Sequence, residues 1–163
     1  MMKNELLVSA LRNGNAMLKM TLADMTDADL IQRPVPNANN ALWQLGHFIS
    51  AEANMVNGCA GKTISELPAG FAERYKKDKA GIDDPAQLGT RDDLIALLDR
   101  VRENTANWVA TLSAEELAAP APEKLRSMCA TVGHVLMLIP MHAAMHLGQI
   151  QVLRRKLGKP VKF

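Results

Sequence analysis

Apolar residues recur every three to four positions in four separate stretches of this chain, and segments rich in Pro, Gly and Asn break the pattern between them. That period belongs to amphipathic helices and is incompatible with strands, whose faces alternate every second residue. Leu6, Leu7, Ala10, Leu11, Met17, Leu18, Leu22 and Met25 predict a first helix from Asn4 to about Met25, weakened but not ended by Gly14. Thr26 to Asn40, with Pro34 and Pro36, is expected to be an extended connection. A second helix is predicted from about Asn40 to Asn57, with Asn39 or Asn40 as N-cap and Gly58 as stop.

Residues 59–89 hold four Gly, two Pro and the run Glu73-Arg74-Tyr75-Lys76-Lys77-Asp78-Lys79, which predicts a long, mostly surface connection carrying a short helical piece. Connections of that length in small domains often serve function. Thr90 then caps a third helix whose apolar face is Leu94, Leu97, Leu98, Val101, Trp108 and Leu112, with the charges on the other side. Ser113 and Glu116 form a capping box for one further turn, closed by Pro120 and Pro122. The last helix starts between Ser127 and Thr131 and reaches Leu157, bent at Pro140 and stopped by Gly158 and Pro160.

Composition agrees with an all-α fold: 48% of the residues are hydrophobic and only 4% aromatic, whereas sheets favour β-branched and aromatic residues. At 163 residues one domain, 1–163, is expected. Nineteen Lys and Arg against seventeen Asp and Glu are spread along the chain, so neither a nucleic-acid footprint nor a membrane-seeking face is expected. The apolar stretch before Arg12 is too short for a signal-peptide core or a span, which predicts a cytoplasmic protein. Cys59 and Cys129 lack the spacing of a redox or zinc pair and are expected as small core residues.

His142 and His146 stand four residues apart, about 40° around a helix and about 6 Å along it, so both imidazoles can reach one ion. Met141, Met145 and Leu147 flank them, and burial there without partners would cost on the order of 1–3 kcal/mol per ring. The plainer alternative is a pair of half-buried polar side chains. His47, among Trp43, Leu45, Phe48 and Ile49, is the candidate third ligand; its alternative is a core histidine bonded to a carbonyl. His134 lies about 12 Å along the helix from His142, too far to share an ion held at about 2.0–2.1 Å, and is expected on a helix face or pocket rim. Ala143 in place of Glu removes the zincin motif, and Glu-x-x-His, phosphate-loop and nucleophile-elbow patterns are absent.

Leu42-Trp43-Gln44-Leu45-Gly46-His47 followed by Glu52 resembles the second-helix signature of the DinB-like (DinB/YfiT) proteins, and His142-x-x-x-His146-Leu147-Gly148-Gln149-Ile150 resembles their last-helix signature. The first helix, Leu30 to Pro36 and the closing Arg155-Lys156-Leu157-Gly158 are similar too. The resemblance implies a four-helix bundle with a long crossover, and a divalent metal held by His47, His142 and His146. It implies no DNA contact. Characterised branches are similar in being thiol-dependent S-transferases or isomerases.

Three neutral imidazoles would leave Zn²⁺ or Ni²⁺ an open position, which suits chemistry on a small-molecule thiol held as thiolate for attack on an electrophile. Gln149, one turn beyond His146, is the candidate to orient a ligand or water, against the alternative of an exposed polar residue. Glu52, about 140° around the helix from His47, is expected to flank the site. Arg154 and Arg155 are candidates to meet an acidic thiol cosubstrate, although basic residues in a last turn are expected on dipole grounds alone. The rival functions are a metal-dependent hydrolase and a non-catalytic metal-binding stress or interaction bundle. Leftover apolar helix faces make a homodimer a further expectation.

Overall fold

The helices begin where side chains take over backbone N–H groups that have no partner in the first turn. Asn40 accepts the Trp43 N–H at 2.8 Å, Thr90 that of Asp93 at 3.2 Å, and Thr131 that of His134 at 3.3 Å. The structure, a computed structural model, describes residues 2–163. Its helices are α1 (Met2–Leu22), α2 (Asp27–Leu30), α3 (Ala41–Ala60), α4 (Phe71–Arg74), α5 (Pro85–Leu88), α6 (Arg91–Thr111), α7 (Ala114–Ala118) and α8 (Val132–Lys156). Tighter 3₁₀ turns lie at Lys77–Lys79 and Glu123–Leu125.

The four long helices α1, α3, α6 and α8 form a bundle. Helix α1 packs against α6 and α8, and α3 packs against the same two. Helices α1 and α3 therefore stand diagonally, as do α6 and α8, so each of the connections α1–α3 and α6–α8 crosses an end of the bundle. The main core joins Leu18 and Leu22 of α1, Leu42, Leu45, Phe48 and Ile49 of α3, Leu94 and Leu98 of α6, and Leu147, Ile150 and Leu153 of α8.

Four sequence expectations need correction. Helix α3 runs through Gly58 to Ala60, because Gly61, at φ +63°, supplies the left-handed cap that Gly58 was expected to give. Thr26 to Asn40 is not wholly extended: Thr26 and Asp29 close a capping box around α2 and bury Leu30. The first helix ends at Leu22, short of Met25. Residues 59–89 are mostly surface as expected, but they hold three short helical pieces rather than one, and Phe71, Tyr75 and Leu88 enter the main core. Thr90, the Ser113/Glu116 box, Thr131, Pro140 inside α8 and Gly158 at φ +68° stand where the sequence places them.

Two charge pairs tie the helices together, one reaching an exposed carboxylate and one buried on both sides. Arg154 of α8 is fully buried: its guanidinium donates to both carboxylate oxygens of Asp24, at 2.5 and 3.0 Å, and to the carbonyls of Thr21 and Pro160. This bidentate contact holds the Asp24 carboxyl well below the usual carboxylate range. Arg102 of α6 meets Glu52 of α3 at 2.8 Å and donates to the Leu11 carbonyl of α1, so one buried pair braces three helices. Arg102 thus leaves the charged side expected of α6 and lies inside.

Helix α3 and the long connection meet at Gly46. A Cβ there would stand 2.1–2.3 Å from the Tyr75 ring, closer than real contacts allow, so only glycine lets the ring lie against the helix. The Tyr75 hydroxyl donates to the Leu88 carbonyl, fixing the far end of the ring. Gly46→Ala is expected to lower unfolding free energy in urea by about 1–3 kcal/mol through overpacking. Gly148→Ala, with open space at its Cβ, should instead raise it by up to about 1 kcal/mol by helix propensity.

Candidate metal centre

Helix α3 brings His47 to the face it shares with α8, and the four-residue spacing on α8 brings His142 and His146 to meet it. The ring centroids lie 5.5 Å (His47 to His142), 5.6 Å (His47 to His146) and 4.6 Å (His142 to His146) apart. One ring nitrogen from each residue falls within 4.8 Å of the other two. His146 is buried, whereas His47 and His142 are half-buried. The cluster is therefore closed on the core side and open on the other.

Packing and hydrogen bonds orient each ring. Trp43 stacks on His47 at 4.7 Å with planes 10° apart, and His47 Nδ1 lies 3.3 Å from the Tyr75 carbonyl. A carbonyl only accepts, so Nδ1 carries the proton and Nε2 keeps its lone pair. Phe48 lies against His146 at 5.9 Å, and His146 Nδ1 is 3.0 Å from Gln44 Oε1. The Nε2 atoms of His142 and His146 face each other at 3.0 Å. Burial depresses the pKa of all three rings and pushes His146 down to about 3, with the neighbouring histidines adding to the effect on His142 and His146. All three are neutral at pH 7.

Such a donor set suits a divalent cation. Three nitrogens bound at about 2.0–2.1 Å around a tetrahedral ion stand roughly 3.3 Å apart; the His142–His146 pair is already near that, at 3.0 Å. Neutral, close imidazoles, two of them tied at their outer nitrogens, match how proteins hold such ions.

The other sequence candidates lie in different settings. Gln149 is exposed on α8, one turn beyond His146. Glu52 is buried against Arg102, its carboxyl pKa raised by desolvation and opposed by that guanidinium. Arg154 has all three side-chain nitrogens engaged by Asp24, Thr21 and Pro160, while Arg155 is exposed. His134 is exposed at the start of α8. Sequence reasoning missed Gln44 and Tyr75. Gln44 is a polar residue inside the apolar run Ala41–Leu45, a signal of a buried polar contact; the Tyr75 carbonyl left no trace in the sequence. A groove of about 400 Å³ lined by Phe71, Tyr75, Leu88, Leu94, Leu97 and Arg100 does not include the histidines.

The sequence pattern of the DinB superfamily matches residues 10–150. The chain belongs to the DinB superfamily. Among solved structures, this DinB-superfamily chain is similar to a conserved protein from Enterococcus faecalis, at TM-score 0.71 and 19% identity over 95% of this chain and 97% of that one. It is also similar to YfiT from Bacillus subtilis, at TM-score 0.68 and 19% identity over 96% of this chain and 89% of that one. That protein is described as a probable metal-dependent hydrolase with an unusual four-helix bundle topology. No curated protein sequence matches the chain.

Purified protein exposed to Zn²⁺ or Ni²⁺ should hold about one ion per chain by elemental analysis, and His47→Ala and His142→Ala should each weaken binding by at least ~100-fold. Glu52→Gln should keep the ion and lower stability instead. Loss of metal from Glu52→Gln with unchanged melting would move Glu52 to the ion.

Proposed function

We propose that this DinB-superfamily protein is a metal-dependent enzyme that transfers a low-molecular-weight thiol to a small electrophile, with His47, His142 and His146 holding Zn²⁺ or Ni²⁺. The observation that carries this reading is the convergence of three neutral imidazoles from two helices around one point that remains open on one side. A divalent ion there would supply Lewis acidity, favouring the deprotonated form of a thiol or water that reaches it.

The chain's own residues supply the rest. Tyr75 and Trp43 hold the His47 ring, and Phe48 closes the core side behind His146. Exposed Lys77, two residues beyond Tyr75, places a positive charge that acts on both His47 and His142. A cation that acts on the cluster favours an anionic reactant, such as a carboxylate-bearing thiol. Gln149, exposed one turn from His146, would orient that reactant.

A second reading, a metal-dependent hydrolase, is favoured by the description given to the Bacillus subtilis relative. An anaerobic thiol-consumption assay against a panel of electrophiles separates the two. S-transfer predicts thiol loss at least ~100-fold faster with metal-loaded than with chelator-treated protein, and its abolition in His142→Ala. Metal-dependent ester or amide cleavage with no thiol present would favour the hydrolase. Neither activity in loaded protein would leave a non-catalytic metal-binding bundle.

A further inference from the structure

Gln44 is 2% exposed, and both ends of its amide are spoken for. Its Nε2 donates to the Asn39 carbonyl at 2.8 Å. Asn39 precedes the N-cap residue Asn40, whose own carbonyl receives the first regular helical bond, from the Gln44 N–H at 3.1 Å. The Asn39 carbonyl is thus outside the helical ladder and needs a donor from elsewhere. A carbonyl cannot donate, so the NH₂ group must face Asn39 and the amide oxygen must face His146, 3.0 Å away. An amide oxygen cannot donate either, so His146 Nδ1 carries the ring proton and its Nε2 holds a lone pair aimed at the cluster.

We infer that Gln44, locked by the Asn39 carbonyl, is the positioning residue that fixes the His146 tautomer and presets its Nε2 for an ion, which leaves His142 as the ring that must change tautomer on binding. The inference rests on the metal reading above for its Zn²⁺ arms, the His142 switch and the affinity, and not for the metal-free tautomers. His142 Nε2 faces His146 Nε2 at 3.0 Å. Since the His146 atom carries a lone pair, His142 supplies the proton between them when no ion is present. When an ion takes both nitrogens, the proton leaves His142 Nε2 for solvent and solvent returns one to Nδ1, so the ring stays neutral. His47, tied to Tyr75, and His146, tied to Gln44, keep their tautomers throughout.

Two-bond ¹H–¹⁵N spectra of histidine-labelled protein read each tautomer directly. Metal-free wild type should show His146 protonated at Nδ1 and His142 at Nε2, and added Zn²⁺ should switch His142 alone. Gln44→Met, similar in shape but without the acceptor, should mix the His146 tautomers and raise the Kd for Zn²⁺ by about 10–100-fold. Gln44→Glu, buried and protonated on the oxygen that faces Asn39, keeps both the donor to that carbonyl and the acceptor toward the ring, and should restore the single tautomer with Kd within a few-fold of wild type. His146 protonated at Nε2 in metal-free wild type would overturn the inference, as would a Gln44→Met protein with unchanged spectra and Kd. The metal-free spectra decide the relay even if Zn²⁺ fails to bind, and wild type with Gln44→Glu decides it if Gln44→Met does not fold.

Discussion

Helices α3 and α8 approach each other through Leu45, Phe48 and Ile49 on one side and Leu147, Ile150 and Leu153 on the other, and the remainder of the site depends on that contact. Apolar burial of this kind sets where two helices sit but not which nitrogen of an imidazole carries a proton. It brings His47 within reach of His142 and His146, and desolvation keeps the rings uncharged. A charged cluster of three imidazolium groups could not occupy the same space, because each would lose hydration and repel its neighbours. Neutral rings in close contact are the form that can share a cation.

The long connection between α3 and α6 is part of this arrangement. Tyr75 inserts against Gly46, one residue before His47, and its backbone carbonyl then lies against the His47 ring. Removing space at Gly46 would displace the same residue that holds His47, so packing and ligand orientation are coupled at one point in the chain. On the opposite side the first turn of α3 does similar work through Gln44 and Asn39. Two of the three rings are therefore held by atoms outside the cluster, and the third adapts.

The four helices were legible because their stripes are long and their caps use the side chains that capping favours, Asn40, Thr90 and Thr131. The histidine trio was legible because two members share one helix face and the third sits in an apolar setting. What could not be read depends on contacts between segments distant in sequence. Nothing local shows that Tyr75, inside a charged run, enters the core, or that Gly46 faces an aromatic ring. Arg102 gave a partial sign, four residues after Leu98 and so on the apolar face, but its partner Glu52 lies 50 residues away in the chain. Gly58 misled because a helix ends where the left-handed conformation is adopted, and Gly61 offered it one turn later.

The shared binding of one ion by three imidazoles is the claim on which the functional account stands. X-ray absorption at the metal edge of Zn²⁺- or Co²⁺-loaded protein tests it without reference to any reaction. The account predicts three imidazole nitrogens at about 2.0–2.1 Å with the outer-shell scattering of histidine rings, together with one or more lighter exchangeable ligands. A spectrum with sulfur in the first shell, or with oxygen ligands and no ring scattering, would contradict it.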